Sequence, residues 1–427
     1  MRFKKAEWIN STNVYEVNVR QYTAEGTFAA FAKELPRLKD MGVETLWFMP
    51  VTPISKKNMK GTMGSYYACS DYISINPEFG TLDDFKMLVK QAQAMGFKVI
   101  IDWVANHTGW DHTWTQTHPE FYKKDIDTND HKIASGMDDI IELDFHNHEL
   151  RKAMIDAMRF WVEECGIDGF RCDLAFWVPL AFWLEARIVL DKIKTLFWLA
   201  ELEPIDHSDY YLAFDACYTW KWMHETEEFS KGKFTLNDLT YLLKRYNEVS
   251  GNTGIPLWFT SNHDENSWNG TEYEKYGDMA KALAVFSATW NGMPMIYNGQ
   301  EMPNLKRLAF FDKDVIEWDG KYELHDFYRT LLTLHKNNIA LRAADAAVTT
   351  YLIETDAPDN VMAYLRKNGD TEVLTILNFS KENVALEIDN SMLGKKYKNV
   401  FNGSEADLTE ANKTTLAPWE YLVYESV

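Results

Sequence analysis

Long apolar runs are missing from this 427-residue chain, and no stretch approaches the roughly 18 residues that cross a bilayer, so a membrane-spanning helix is excluded. Cysteine is scarce. Cys69, Cys165, Cys172 and Cys217 are the four present; they lack metal-ligand spacing and form no dense block, which argues against a disulfide scaffold and against metal or redox chemistry at sulfur. Positive charge is also in deficit: 44 Lys plus Arg face 64 Asp plus Glu, giving a formal net charge of −20. Such a chain repels a phosphate backbone, and no basic run offsets this, so nucleic acid is excluded as a partner. The opening "MRFKKAEWINSTNVYEV" has basic residues with no apolar stretch behind them, unlike a secretory leader, and a cytoplasmic location is expected.

Apolar residues make up 46% of the chain, enough for a sizeable core, and aromatics 14%, including 16 Trp. Several aromatics fall in wet loops such as "HTGWDHTW", a setting suited to flat, hydroxylated ligands such as sugars. Trp110, Trp114 and Trp268 stand where they could stack on sugar rings or pack the loops that carry them.

Eight short apolar runs alternate with helical patterns: 13–22, 44–51, 97–104, 168–175, 196–203, 211–218, 255–261 and 293–299. Between them lie segments such as "TFAAFAKELPRLKDMG" and "TLDDFKMLVKQAQAMG", with apolar residues at helical steps and glycine at the stop. Alternating strand and helix predicts a parallel sheet, and eight units predict a TIM (β/α)8 barrel over 1–104 and 147–342; an open doubly wound sheet is the alternative. Residues 105–146, polar, aromatic and weakly periodic, read as a short inserted excursion over the barrel mouth. From 343 to 427 short alternating runs separated by Asn, Asp, Gly and Pro predict an antiparallel β domain.

Function in such a barrel gathers at the C-terminal strand ends. There stand Asp102, Asn106 and His107 after the third strand, Arg171 and Asp173 on the fourth, Glu201 and Glu203 on the fifth, and His263 and Asp264 in "SNHDENSWNG" after the seventh. Period-two alternation puts Arg171 and Asp173 on one face, directed inward if Cys172 and Leu174 meet the helices. Each group alone has an ordinary reading as a salt bridge, a solvated acid or a turn residue. Several acids, two histidines and an arginine converging on one mouth weaken that reading.

At these residues the chain resembles the α-amylase family of glycoside hydrolases, family 13, from about Tyr15 to Glu301. "DWVANH", "GFRCD", the glutamate of "LAELE" and "SNHD" are similar to its four motifs in order, and "GSYYACSDYISINPEFGT" and "GMPMIYNGQE" to its flanking segments. The resemblance implies a barrel, an excursion after the third strand and a C-terminal β-sandwich. It makes Asp173 the nucleophile, Glu201 the general acid and base, and Asp264 the acid that steadies the transition state. Tyr67, His107, Arg171, His263 and Asp102 would then bind the sugar. The family often binds calcium, which brings in Asn106 and, from the excursion, Asp139; no organic cofactor is implied. Glu203 has the strand parity of Glu201 and competes for the acid role.

The chemistry requires these residue types. A retaining glycosidase places two carboxyls roughly 5–5.5 Å apart, one to attack the anomeric carbon and one to protonate the leaving oxygen. Asp173 must be ionised, which Arg171 favours, and Glu201 must hold a proton, which burial among carboxylates favours. The expected activity is cleavage of α-1,4-glucosidic bonds in starch or maltooligosaccharides, α-amylase fashion. A 4-α-glucanotransferase or a cyclomaltodextrinase or maltogenic enzyme is the second expectation, and a noncatalytic sugar-binding relative the third. The short excursion suggests a cleft open to polymer.

Overall fold

All eight apolar runs form barrel strands in the computed structural model, which describes residues 3–251, 253–408 and 413–427. They are β1 (Val14–Val17), β2 (Thr45–Phe48) and β3 (Lys98–Trp103), then, after three short strands of the excursion, β7 (Gly169–Cys172), β8 (Phe197–Ala200), β9 (Ala216–Tyr218), β10 (Ile255–Trp258) and β11 (Met293–Tyr297). Neighbours pair in parallel and the ring closes in the order β1-β11-β10-β9-β8-β7-β3-β2. The strands are shorter than the runs that announced them. The first run stops at Val17 because the Asn18 side chain accepts from the Gln21 amide and caps a helical turn, Val19–Tyr22.

Two helical patterns behave differently. Leu82–Ala94 is one helix, closed at its start by a reciprocal Thr81–Asp84 capping box, a device worth about 1 kcal/mol. The pattern at 27–40 breaks into helix Phe28–Phe31, a tighter turn Ala32–Glu34 and helix Leu35–Asp40. Pro36 explains the break, since it has no N–H to continue the ladder and is tolerated only in a first turn.

The excursion carries β4 (His107–Gly109), β5 (Ile133–Ala134) and β6 (Met137–Glu142), a small antiparallel sheet in the order β4-β6-β5. The C-terminal domain follows the helix His325–Asn337. Its strands are β12 (Val348–Ile353), β13 (Val361–Asn368), β14 (Thr371–Asn378), β15 (Val384–Glu387), β16 (Lys396–Asn399), β17 (Glu405–Asp407), β18 (Lys413–Leu416) and β19 (Tyr421–Ser426). Six form one antiparallel sheet, β12-β13-β14-β19-β16-β17, and β15 pairs with β18 across its inner face. Leu365, Leu374, Leu386 and Leu416 fill the space between the layers. The outer face rests on the barrel, where Tyr364 meets Trp290 edge-on at 4.8 Å and bonds Thr289 at 2.6 Å.

Among the described residues no helix is long and apolar enough to cross a membrane, and all four cysteines are buried free thiols.

Candidate active site

Arg171 is the centre around which the site is built. It is the third residue of β7, its side chain points into the barrel, and none of it reaches solvent. A bare guanidinium there would be prohibitive, so its partners matter. Nη1 donates to Asp102 at 3.0 Å and to Asp173 at 3.1 Å, and Nη2 lies 2.9 Å from Glu201 Oε2. The indole of Trp47 faces the guanidinium at 4.8 Å and the Tyr218 ring at 5.4 Å. One cation thus gathers three carboxylates delivered by β3 and by the ends of β7 and β8.

Asp102 supports Arg171. Its carboxylate also accepts from Trp47 at 3.2 Å and Tyr67 at 3.1 Å, and its side chain is fully enclosed. Asp102 thus lies beneath the cavity wall, with Arg171 and His263. Asp173 is different: Oδ1 accepts from Arg171, while Oδ2 has no hydrogen-bond partner among the described residues. Burial and the neighbouring Glu201 push the Asp173 carboxyl well above the usual carboxylate range, and Arg171 opposes them without prevailing. Carboxyls this close titrate together, so the shift belongs to the group of acids.

Glu201 and Glu203 part company because β8 ends at Ala200, and strand parity stops with it. Glu201 turns into the barrel mouth, where Oε2 also accepts from the Leu174 amide at 2.9 Å. Leu174 adopts a left-handed backbone, φ +38°, a strain of order 1–3 kcal/mol held by the surrounding contacts. Glu203 points away, accepting from the Tyr246 hydroxyl at 2.7 Å and the Lys221 and Ile205 amides at 2.8 and 3.0 Å. It anchors the chain after β8 and leaves Glu201 alone at the mouth.

His263 and Asp264 follow β10. His263 Nδ1 donates to Glu16 Oε1 at 2.5 Å, and Nε2 lies 2.7 Å from the Tyr67 hydroxyl and 3.3 Å from Asp264 Oδ2. Burial alone would lower the imidazolium, but Asp264 and Glu16 hold it well above its ordinary value. Burial would raise Asp264, but His263 and Arg171 bring it below the usual range. His107, by contrast, is pushed down to about 4 by burial; it is neutral, and its Nε2 has no partner among the described residues.

These groups surround a cavity of about 420 Å³, within the range of small-ligand sites. Its walls bring together Tyr67, His107, Asp173, Glu201 and Asp264, with Arg171, His263 and Asp102 in the layer beneath. A wider groove of about 880 Å³ between the helix His325–Asn337 and the C-terminal sheet has a single carboxylate, Glu425, and no acid pair. The aromatic wall of the cavity is Trp268, Phe310 and Phe311, with Phe310 stacked parallel to Tyr67 at 6.3 Å. Of the three tryptophans singled out, Trp268 lines this wall and is 53% exposed. Trp114 packs against Tyr72 and Phe121, and the Trp110 indole bonds the Asp138 carbonyl.

Asn106 and Asp139, the two calcium candidates, both have protein partners. Asp139 is ion-paired with Lys60 at 2.8 Å, so an ammonium already occupies its charge, and the Asn106 amide lies 3.3 Å from His107 Nδ1. Among the described residues no group of three or more His, Cys, Asp or Glu side chains is arranged to hold a metal. Glu16, Phe310 and Phe311 were missed in the sequence. Glu16 carried a readable sign, a lone acid inside the buried run "VYEV"; "AFFD" offered an aromatic pair in a polar loop.

An eight-stranded parallel barrel with three carboxyls converging at its C-terminal mouth defines a glycosidase-type site. The family model for the alpha amylase catalytic domain matches residues 2–135, 120–187 and 205–328, and that for the maltogenic amylase C-terminal domain matches 352–423. The chain belongs to the α-amylase family of glycoside hydrolases and is an enzyme of α-glucans. Alpha-amylase 2 of Dictyoglomus thermophilum is 25% identical over 91% of this chain and 69% of its own length. A cyclomaltodextrinase of Geobacillus thermopakistaniensis is 23% identical over 93% of this chain and 70% of its own. Among solved structures, a noncanonic maltogenic alpha-amylase of Thermotoga neapolitana superposes with a TM-score of 0.88 at 31% identity, covering 98% of this chain and 99% of that one.

Proposed function

We propose that the protein cleaves α-1,4-glucosidic bonds of maltooligosaccharides or starch by retaining double displacement, with Asp173 as nucleophile, Glu201 as general acid and base, and Asp264 steadying the transition state. The observation that carries this is the meeting of these three carboxyls on one cavity, with Asp173 Oδ2 unpartnered. That oxygen attacks the anomeric carbon; the bond to the leaving oxygen breaks, and the Glu201 proton goes to that oxygen. Glu201, now a carboxylate, takes a proton from water, whose oxygen attacks the same carbon, and the Asp173 ester bond breaks.

The first step uses a proton carried by Glu201. A sugar whose anomeric carbon gains positive charge opposite Asp173 draws negative charge to Asp173 and leaves the proton on Glu201. Asp264, held as an anion by the His263 imidazolium, accepts hydrogen bonds from ring hydroxyls that strengthen as charge builds. Neutral His107 and the Tyr67 hydroxyl bond the same ring without adding fixed charge.

A second reading is cyclomaltodextrinase-like or maltogenic action, or transfer of the glycosyl unit to a sugar. The names of the relatives at Geobacillus and Thermotoga favour it. Incubation with amylose, maltotriose and a cyclodextrin separates the readings. Hydrolysis gives only shorter products, transfer gives products longer than the substrate, and absence of turnover on all three contradicts both.

A further inference from the structure

The segment 56–63, "KKNMKGTM", follows β2, places Lys60 on the cavity wall and is bonded as a tether to two elements distant in sequence. At one end it is fixed to the excursion. The Lys56 and Lys57 amides donate to Asp111 Oδ2 at 2.9 and 3.1 Å, and the Lys60 ammonium lies 2.8 Å from Asp139 and 3.2 Å from Asp138. At the other end it is fixed to the loop after β11. The Thr62 amide and hydroxyl donate to Asp312 Oδ1 at 2.8 and 2.6 Å, and the Met63 amide to the Phe311 carbonyl at 2.9 Å.

Contact along the span is close. Gly61 has φ +59°, and a Cβ there would fall 2.5 Å from the Phe311 Cβ, so only glycine lets the backbone pass. These bonds hold the segment in place, and its location gives it a further consequence. Lys60, Asp139 and Phe311 all stand on the wall of the catalytic cavity.

Barrel topology fixes which side the tether occupies. In the ring β1-β11-β10-β9-β8-β7-β3-β2, the tether lies over β2 and β11, which flank β1, and β8 stands opposite β1. Glu201, at the end of β8, is therefore across the mouth from the tether. If Glu201 protonates the leaving sugar, the side the tether occupies is that of the sugar attached to Asp173.

We propose that segment 56–63 is a chain-length barrier that ends the cavity on the non-reducing side, so that the enzyme takes the non-reducing ends of short α-glucans and does not cut within a long chain. This rests on the assignment of Asp173 and Glu201 above.

The test compares maltoheptaose glycosides with a chromogenic reducing end, one free and one capped by a cyclic acetal at its non-reducing end. The protein is expected to cleave the free substrate at least about tenfold faster than the capped one. The variant Lys60→Ala combined with Asp312→Ala is expected to bring that ratio toward unity, whatever its absolute rate. Equal rates of the unaltered protein on both substrates overturn the barrier while leaving the catalytic assignment standing. No cleavage of either overturns the catalytic assignment and the barrier with it. Because the first comparison uses the unaltered protein, a variant that fails to fold does not remove the test.

Discussion

Glu16 Oε1 stands 2.5 Å from His263 Nδ1, joining the first strand of the barrel to the loop after its seventh. The contact fixes which ring nitrogen faces the cavity: with Nδ1–H given to Glu16, Nε2 is left to Tyr67 and Asp264. Burial lowers His263, and Asp264 and Glu16 more than reverse this, so the imidazolium persists above its ordinary range. Its raised value contributes stability that is present in full below the ordinary histidine range and lost as pH rises through the raised one. Glu16→Gln removes one of the two supports. The basic limb of kcat/KM against pH is expected to move to lower pH, and an unmoved limb would show that Glu16 does not govern the charge on His263.

Asp173→Asn separates catalysis from stability. Turnover should fall by roughly 10⁴-fold or more, because an amide of the same shape cannot attack carbon, while sugar binding remains measurable. Burial and Glu201 raise the native carboxyl, so its ionised form costs stability above the ordinary aspartate range. The variant is therefore expected to melt at a higher temperature than the unaltered protein at neutral pH, with the gain vanishing as pH falls toward that range. Parallel melting curves at neutral and acid pH check the sign.

Glu201→Gln and Glu203→Gln should fail in opposite ways. Without its proton donor, the Glu201 variant loses cleavage of ordinary glucosides yet keeps more activity where the leaving group needs no protonation. Glu203 takes bonds from three donors on two oxygens, and an amide presents its NH2 to one set of them. About 1–3 kcal/mol of stability should be lost with turnover little changed in the folded fraction. Exchange of these behaviours would make Glu203 the acid.

Much of this site was legible because its chemistry sits where strands end. Arg171 follows alternation within β7 and Asp173 stands one residue past its end, and the eight apolar runs mark the barrel independently of any motif. Strand parity could not choose between Glu201 and Glu203, since it holds only inside a strand and β8 stops at Ala200; only the motif favoured Glu201. Nor could alternation say that Asp102 faces Arg171, because that depends on which neighbour across the barrel fills the space. The pairing of Asp139 with Lys60 was not legible either, since it joins the excursion to the loop after β2. The tether and the Phe310–Phe311 wall are long-range features of the same kind.

Anomeric configuration tests the double displacement most directly. Proton NMR of maltotriose or maltoheptaose hydrolysis, recorded before the products equilibrate, reads the configuration of the newly released reducing end. Two successive displacements at one carbon, through an ester with Asp173, predict that the α-anomer appears first. Initial release of the β-anomer would mean a single displacement by water, and would contradict the assignment of Asp173 as nucleophile.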